Sequence, residues 1–227
     1  MVNAMQSNSF QTLKHTLSWL YVWGIAFGYI EAAIVIYLRK IYYPDGFSFP
    51  IVLADIDIAA VEILRELMTL IIIWAMVELT FRTFIKKLAG YMIIFGIWDI
   101  FYYIFLKIFL DWPESYLTWD ILFLIPLPWV GPVLAPVLVS LSLIYTGIII
   151  LVEMDRGYRF QFDKKFWIME IMAGIIIIIS FMIPGIVVIN QMVPESFPWV
   201  IFLTGFFFGW VVFHYYLMKD SNVSTDQ

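Results

Sequence analysis

Cysteine is missing from all 227 residues, which excludes disulfides, thiolate metal ligands and a thiol nucleophile. Histidine is scarce: only His15 and His214 are present. That argues against haem-based electron transfer and against a histidine-built zinc site. Charged residues make up 14% of the chain, and 13 Lys and Arg against 18 Asp and Glu leave a formal charge of −5. Nothing in that balance points to nucleic acid. The HExxH, GxxxxGK and GxSxG motifs are absent, as is a long dinucleotide-binding fingerprint. No cleavable signal peptide stands out, because the first long apolar run reads as a retained spanning helix.

Hydrophobic residues are abundant, at 63%. Several runs exceed eighteen mostly apolar residues, the length a helix needs to cross a bilayer. Runs such as 174–189 do not alternate, so a transmembrane β-barrel is set aside. The sequence predicts an all-α polytopic membrane protein with six spans, at roughly 16–38, 59–79, 88–110, 131–152, 166–189 and 197–217. A polar segment over 1–15 and a polar tail over 218–227 flank one transmembrane domain, 16–217. Span four is expected to begin in a proline-broken or interfacial segment over about 117–130. Pro126, Pro128, Pro132 and Pro136 each remove a backbone donor there. Backbone that is not helical at membrane depth is tolerated where protein buries it or a wet cavity lines it.

Basic residues set the expected orientation. With both termini cytoplasmic, the inner side holds Lys14, Arg82, Lys86, Lys87, Arg156, Arg159, Lys164, Lys165 and Lys219, nine in all. The outer side holds four: Arg39, Lys40, Arg65 and Lys107. The plasma membrane of a bacterium or archaeon is the expected location. Trp112, Trp119, Trp129 and Trp199 fall near the outer interface, where an aromatic belt sits. Pro113-Glu114-Ser115 and Pro194-Glu195-Ser196 form a faint echo, read as capping signals before spans four and six.

The chemistry concentrates in the outer half. Asp99 lies near the middle of span three, with Tyr102 and Tyr103 within a turn and Lys107 two turns on. Gly24, Gly28 and Glu31 share one side of span one, and the small residues permit close helix approach. Glu62, Arg65 and Glu66 occupy the first turns of span two, where Glu62 and Arg65 are spaced to pair. The expected site places Glu31, Glu62, Arg65, Glu66 and Asp99 around one polar cavity, with Lys107 and Asp120 at its mouth. Arg39 and Lys40, ending span one, are expected to snorkel to the interface.

Four readings of this cluster compete. Buried charges demand pairing, so a purely structural ion-pair network is one. Surplus carboxylates also hold a cation or share a proton, which suits a cation- or proton-coupled small-solute transporter. A carboxylate- or metal-dependent membrane enzyme is the alternative, since oxygen ligands suit hard cations. A non-catalytic subunit of a larger membrane assembly is a further one. Expected partners are membrane lipids, a cation or proton with a small solute, and a membrane-protein partner or second copy.

Overall fold

Wherever the chain offers a long apolar run, the computed structural model has a helix. It describes residues 2–50 and 56–224, with side chains over 11–50 and 57–219. Asp55, in the link before span two, lies outside the described residues. Six helices follow in order: α1 (Val2–Tyr42), α2 (Ile56–Thr80), α3 (Phe84–Leu110), α4 (Leu134–Asp155), α5 (Lys164–Ile189) and α6 (Trp199–Ser224). Between α3 and α4 two short strands, β1 (Trp119–Phe123) and β2 (Trp129–Pro132), pair with each other.

Five of the helices are long and apolar enough to cross a membrane: α1 over Gln11–Tyr42, α3, α4, α5, and α6 over Trp199–Lys219. These are the helices of an integral membrane protein. The exception among the described helices is α2, which carries Asp57, Glu62, Arg65, Glu66 and Glu78 within its 25 residues. Its length suffices, but its charge density sets it apart from the other five.

Local chemistry explains the ends. Arg39 and Lys40 occupy the last turn of α1, where cations complement the helix dipole. Gly46 closes the following turn at φ +108, donating its N–H to the Tyr43 carbonyl at 3.0 Å; that conformation favours glycine. Asp111 ends α3 in the left-handed region at φ 52, its N–H bonded to the Lys107 carbonyl. Pro126 and Pro128 fall in the turn between the strands, and Pro132 ends β2. Pro136 sits in the first turn of α4, where its missing N–H is no loss. The first Pro-Glu-Ser echo is a turn ahead of a strand, not a helix cap. Ser115 Oγ accepts from the Leu117 N–H at 3.2 Å, and Thr118 Oγ1 accepts from the Ser115 N–H at 3.0 Å.

The chain divides into two compact units, one of residues 1–120 with 132–158, the other of 121–131 with 159–227. In the first, α3 packs against α1, α2 and α4. Glycines let the helices approach. A Cβ added at Gly24 would lie 2.8 Å from Ile97 Cγ2, and one at Gly28 would lie 2.9 Å from the Trp98 carbonyl oxygen. Gly96 of α3 and Gly147 of α4 seat against opposing backbone, with Cβ distances of 2.5 Å to the Ser140 oxygen and 2.6 Å to the Ala89 oxygen. The α1 glycines therefore form a packed seam, and Glu31 one turn on is buried.

In the second unit α5 packs against α6, joined by rings of Phe181, Phe197 and Phe202. Asp163 caps α5 by accepting the Phe166 N–H at 2.8 Å, and it also accepts the Tyr216 hydroxyl of α6 at 2.9 Å. The Phe166 N–H, and after it the Tyr216 hydroxyl, hold the Asp163 carboxyl below the usual aspartate range. A depressed folded-state value contributes stability above the unfolded value of about 3.9, and that contribution is lost as pH falls through the folded one. Asp163→Asn is therefore expected to unfold at lower temperature than the parent at neutral pH. The gap should close as the pH drops below about 4. A gap unchanged between neutral and strongly acid pH would contradict this reading of the cap.

Candidate functional site

The polar site in the first unit is built by helical spacing. On α2, Glu62, Arg65 and Thr69 follow one another at three and four residues and so share a face. On α1, Glu31 and Arg39 are eight residues apart, two turns along nearly the same side, roughly 12 Å in rise. On α3, Asp99, Tyr102 and Tyr103 fall within one turn of each other.

Arg65 joins the first group. Its Nε and Nη2 donate to Glu62 Oε2 at 3.0 and 2.8 Å, and its Nη1 is paired with Glu31. Thr69 Oγ1 donates toward Glu31 Oε1 at 3.1 Å and toward the Arg65 carbonyl at 3.0 Å. Glu31 thus has both oxygens engaged, in a side chain only 6% exposed. Breaking such a pair strands a buried charge.

Arg39 forms the second group. Its Nη2 donates to Asp120 Oδ1 at 2.8 Å, with the two side chains 7% and 2% exposed. The guanidinium lies over the Trp112 ring at 3.6 Å and the Phe47 ring at 4.4 Å, a desolvated cation–π arrangement. Arg39 is buried, not snorkelling: a carboxylate from a strand 81 residues away in sequence reaches it, and aromatic rings cover it from solvent. Tyr103 lies within electrostatic reach of Asp120.

Asp99 is held differently. It accepts from Ser140 Oγ of α4 at 2.7 Å, and Gly96, one turn before it, fixes that distance by packing on the Ser140 carbonyl. Tyr102 lies within electrostatic reach of Asp120, Arg39, Arg65 and Asp99, so both arginine groups bear on the same stretch of α3.

Of the residues expected at the site, Glu31, Glu62 and Arg65 meet directly. Asp120 is in the second group, and Asp99 is within electrostatic reach of it. Glu66 is buried one turn from Glu62. Lys107 is placed elsewhere, pairing with Asp111 at 2.7 Å and donating to the carbonyls of Asp111 and Pro113 at 3.2 and 3.1 Å. The Lys107 ammonium holds the exposed Asp111 carboxyl below the usual aspartate range.

Sequence reasoning did not assign Arg39, Thr69, Ser140 or Trp112 to the site. The signal for Arg39 was its two-turn spacing from Glu31. The signal for Ser140 was a hydroxyl isolated in the apolar run of α4. The histidines have partners in their own helices. His15 Nε2 accepts from Trp19 Nε1 at 3.1 Å, and His214 Nδ1 is 2.8 Å from the Trp210 carbonyl. Among the described residues, no three His, Asp or Glu side chains converge as a metal ion requires. No protein-family model, curated protein or solved structure matches this chain, so its function is read from the arrangement of these side chains.

Proposed function

We propose that the first unit carries a proton-coupled small-solute transport site with Asp99 as its coupling group. One observation carries this reading. The buried Arg39 and the half-buried Arg65 are committed to other carboxylates, while Asp99, within a membrane-spanning helix, is partnered by a hydroxyl. An arginine stabilises only the ionised carboxylate. A serine hydroxyl donates to a carboxylate and accepts from a carboxylic acid, so it serves both protonation states. Ionisable groups at membrane depth that keep such freedom belong to proton and solute pathways.

The two arginine groups are the rigid walls of this site. In the same reading α2 is a sixth span, with its charges turned to the site. Both termini are cytoplasmic in this reading, on the count of nine basic residues inside against four outside.

Reconstituted vesicles with a trapped pH indicator test the proposal. Across a panel of solutes the parent should move protons together with at least one of them, and Asp99→Asn should lower that flux at least tenfold. Single cysteines, introduced into the 82–87 and 156–165 connections, should label from the cytoplasmic face only. Equal flux in parent and empty vesicles across the panel would sink transport. Chemical conversion of a solute without its movement would replace transport with an enzyme.

A further inference from the structure

Arg39 is not fully used by the described residues around it. Its side chain is more than nine-tenths buried, yet Nη1 has no hydrogen-bond partner among the described residues. The pairing with Asp120 runs through Nη2 alone, whereas arginine and a carboxylate commonly pair through two parallel bonds. Trp112 and Phe47 hold the guanidinium plane in place, so the N–H directions of Nη1 are fixed rather than free to search. A buried donor with no acceptor among the described residues is an exception that calls for a partner.

From this we propose that Arg39 Nη1 is the anchor for an oxyanion, a carboxylate or phosphate group, carried by the transported solute, and that the oxyanion binds together with one proton taken up by Asp99. The inference rests on the transport reading above. Arginine is the side chain best shaped for oxyanions, and the planar fork held by rings loses little freedom on binding them.

Charge sets the coupling. The paired groups are two arginines, Arg39 and Arg65, against Glu31, Glu62 and Asp120, a sum of −1 before Asp99 and Glu66 are counted. Asp99 is faced by Ser140 from α4, with Tyr102 and Tyr103 beside it on α3 and Asp120 from the hairpin. An anion entering this field adds repulsion unless a negative charge is removed. Protonating the Asp99 carboxylate to the acid removes one, and Ser140 then accepts where it had donated. One singly charged oxyanion and one proton enter together, and the site's total charge does not change.

The test uses the full chain in nanodiscs of a zwitterionic lipid, with acetate and inorganic phosphate as free probes. A parallel set of discs contains phosphatidylglycerol as the lipid source of the same chemistry. Binding is read by calorimetry, and proton uptake by an indicator dye in weak buffer. The parent should bind an oxyanion with about one proton taken up per site, the stoichiometry that linkage of one carboxyl requires. Arg39→Gln/Asp120→Asn, which removes both charges together, should bind at least tenfold more weakly. Trp112→Leu removes only the ring under the guanidinium and should weaken binding in the same direction. Asp99→Asn should bind without proton uptake. Binding seen only with phosphatidylglycerol discs, and lost in the Arg39 variant, would identify the oxyanion as a lipid headgroup and overturn its assignment to the transported solute.

Equal binding by parent and both Arg39-site variants, or no binding of any probe, would overturn it. Proton-coupled flux that depends on Asp99 but ignores every oxyanion would leave transport standing and the anchor wrong. Binding with proton uptake but no flux in vesicles would do the reverse.

Discussion

Arg65→Met is expected to cost the fold at least about 3 kcal/mol, because it leaves the buried carboxylate of Glu31 without its cation. Glu62 loses the same partner, and no other described basic side chain pairs with either acid. The cost is a stranded charge rather than a lost contact, so it should be recoverable. Arg65→Met with Glu31→Gln keeps an amide within reach of Thr69 and removes the stranded charge. The double variant should regain most of the loss, with a coupling energy in the upper part of the roughly 0.5–3 kcal/mol range seen for contacting residues. Lys107→Met is the control. Its partner Asp111 is 92% exposed, and exposed pairs contribute about 0–1 kcal/mol. Thermal unfolding in one detergent compares the parent, the single variants Arg65→Met, Glu31→Gln and Lys107→Met, and the double variant. An Arg65→Met variant as stable as Lys107→Met would show that Glu31 does not depend on that cation.

The elements were legible where one physical signal dominated. α3 and α5 were expected at 88–110 and 166–189 and are found at Phe84–Leu110 and Lys164–Ile189. Unbroken apolar runs bounded by charge leave a chain in hydrocarbon few other ways to satisfy its backbone. The stretch from Trp119 to Pro132 was not legible in the same way. Its prolines argued against a helix, but an apolar strand without alternation looks like any other apolar segment. The pairing of β1 with β2 depends on contacts the sequence does not display.

Charge within an apolar run was readable in the sequence, and so was the short-range pairing of Glu62 with Arg65; partners remote along the chain were not. Asp99, Glu31 and Glu62 stood out because charge inside an apolar run is costly wherever it points. Arg39 reads as an interfacial cation in the sequence because terminal basic residues usually serve that role; its partner Asp120 is remote in sequence. Lys107 has the spacing to reach Asp99, but the carbonyls at the end of α3 and the Asp111 carboxylate are nearer. A cation at a helix C-terminus gains from both. Ser140 was hidden for the opposite reason: a single hydroxyl in a membrane helix is ordinary, and only the close seating of Gly96 on its carbonyl makes it specific.

Gly185→Ala should be as damaging as the loss of Arg65, for a steric reason in the second unit. A Cβ at position 185 would lie 1.8 Å from the Pro128 carbonyl oxygen and 2.9 Å from its carbonyl carbon. The obstacle is backbone on one side and a helix on the other, so no side-chain rotation relieves it, and the turn between the strands must lift away from α5. That lift pulls Trp129 off Phe181, with which it stacks at 6.3 Å and 8°. Overpacking of this kind costs about 1–3 kcal/mol and occasionally more; with backbone as the obstacle, the upper end is expected. Gly174 provides the control within the same helix, since a Cβ there would meet nothing within 4 Å. Gly174→Ala should be neutral or slightly stabilising, because alanine restricts the unfolded chain and favours helix. The natural absence of cysteine allows a single reporter thiol at Leu127 in the turn, which is 36% exposed. In Gly185→Ala the thiol should react faster with a soluble maleimide than in the parent, and thermal unfolding should come earlier. In Gly174→Ala neither should change for the worse. Equal labelling and equal stability in the two glycine variants would mean that the turn is not seated on α5 as described.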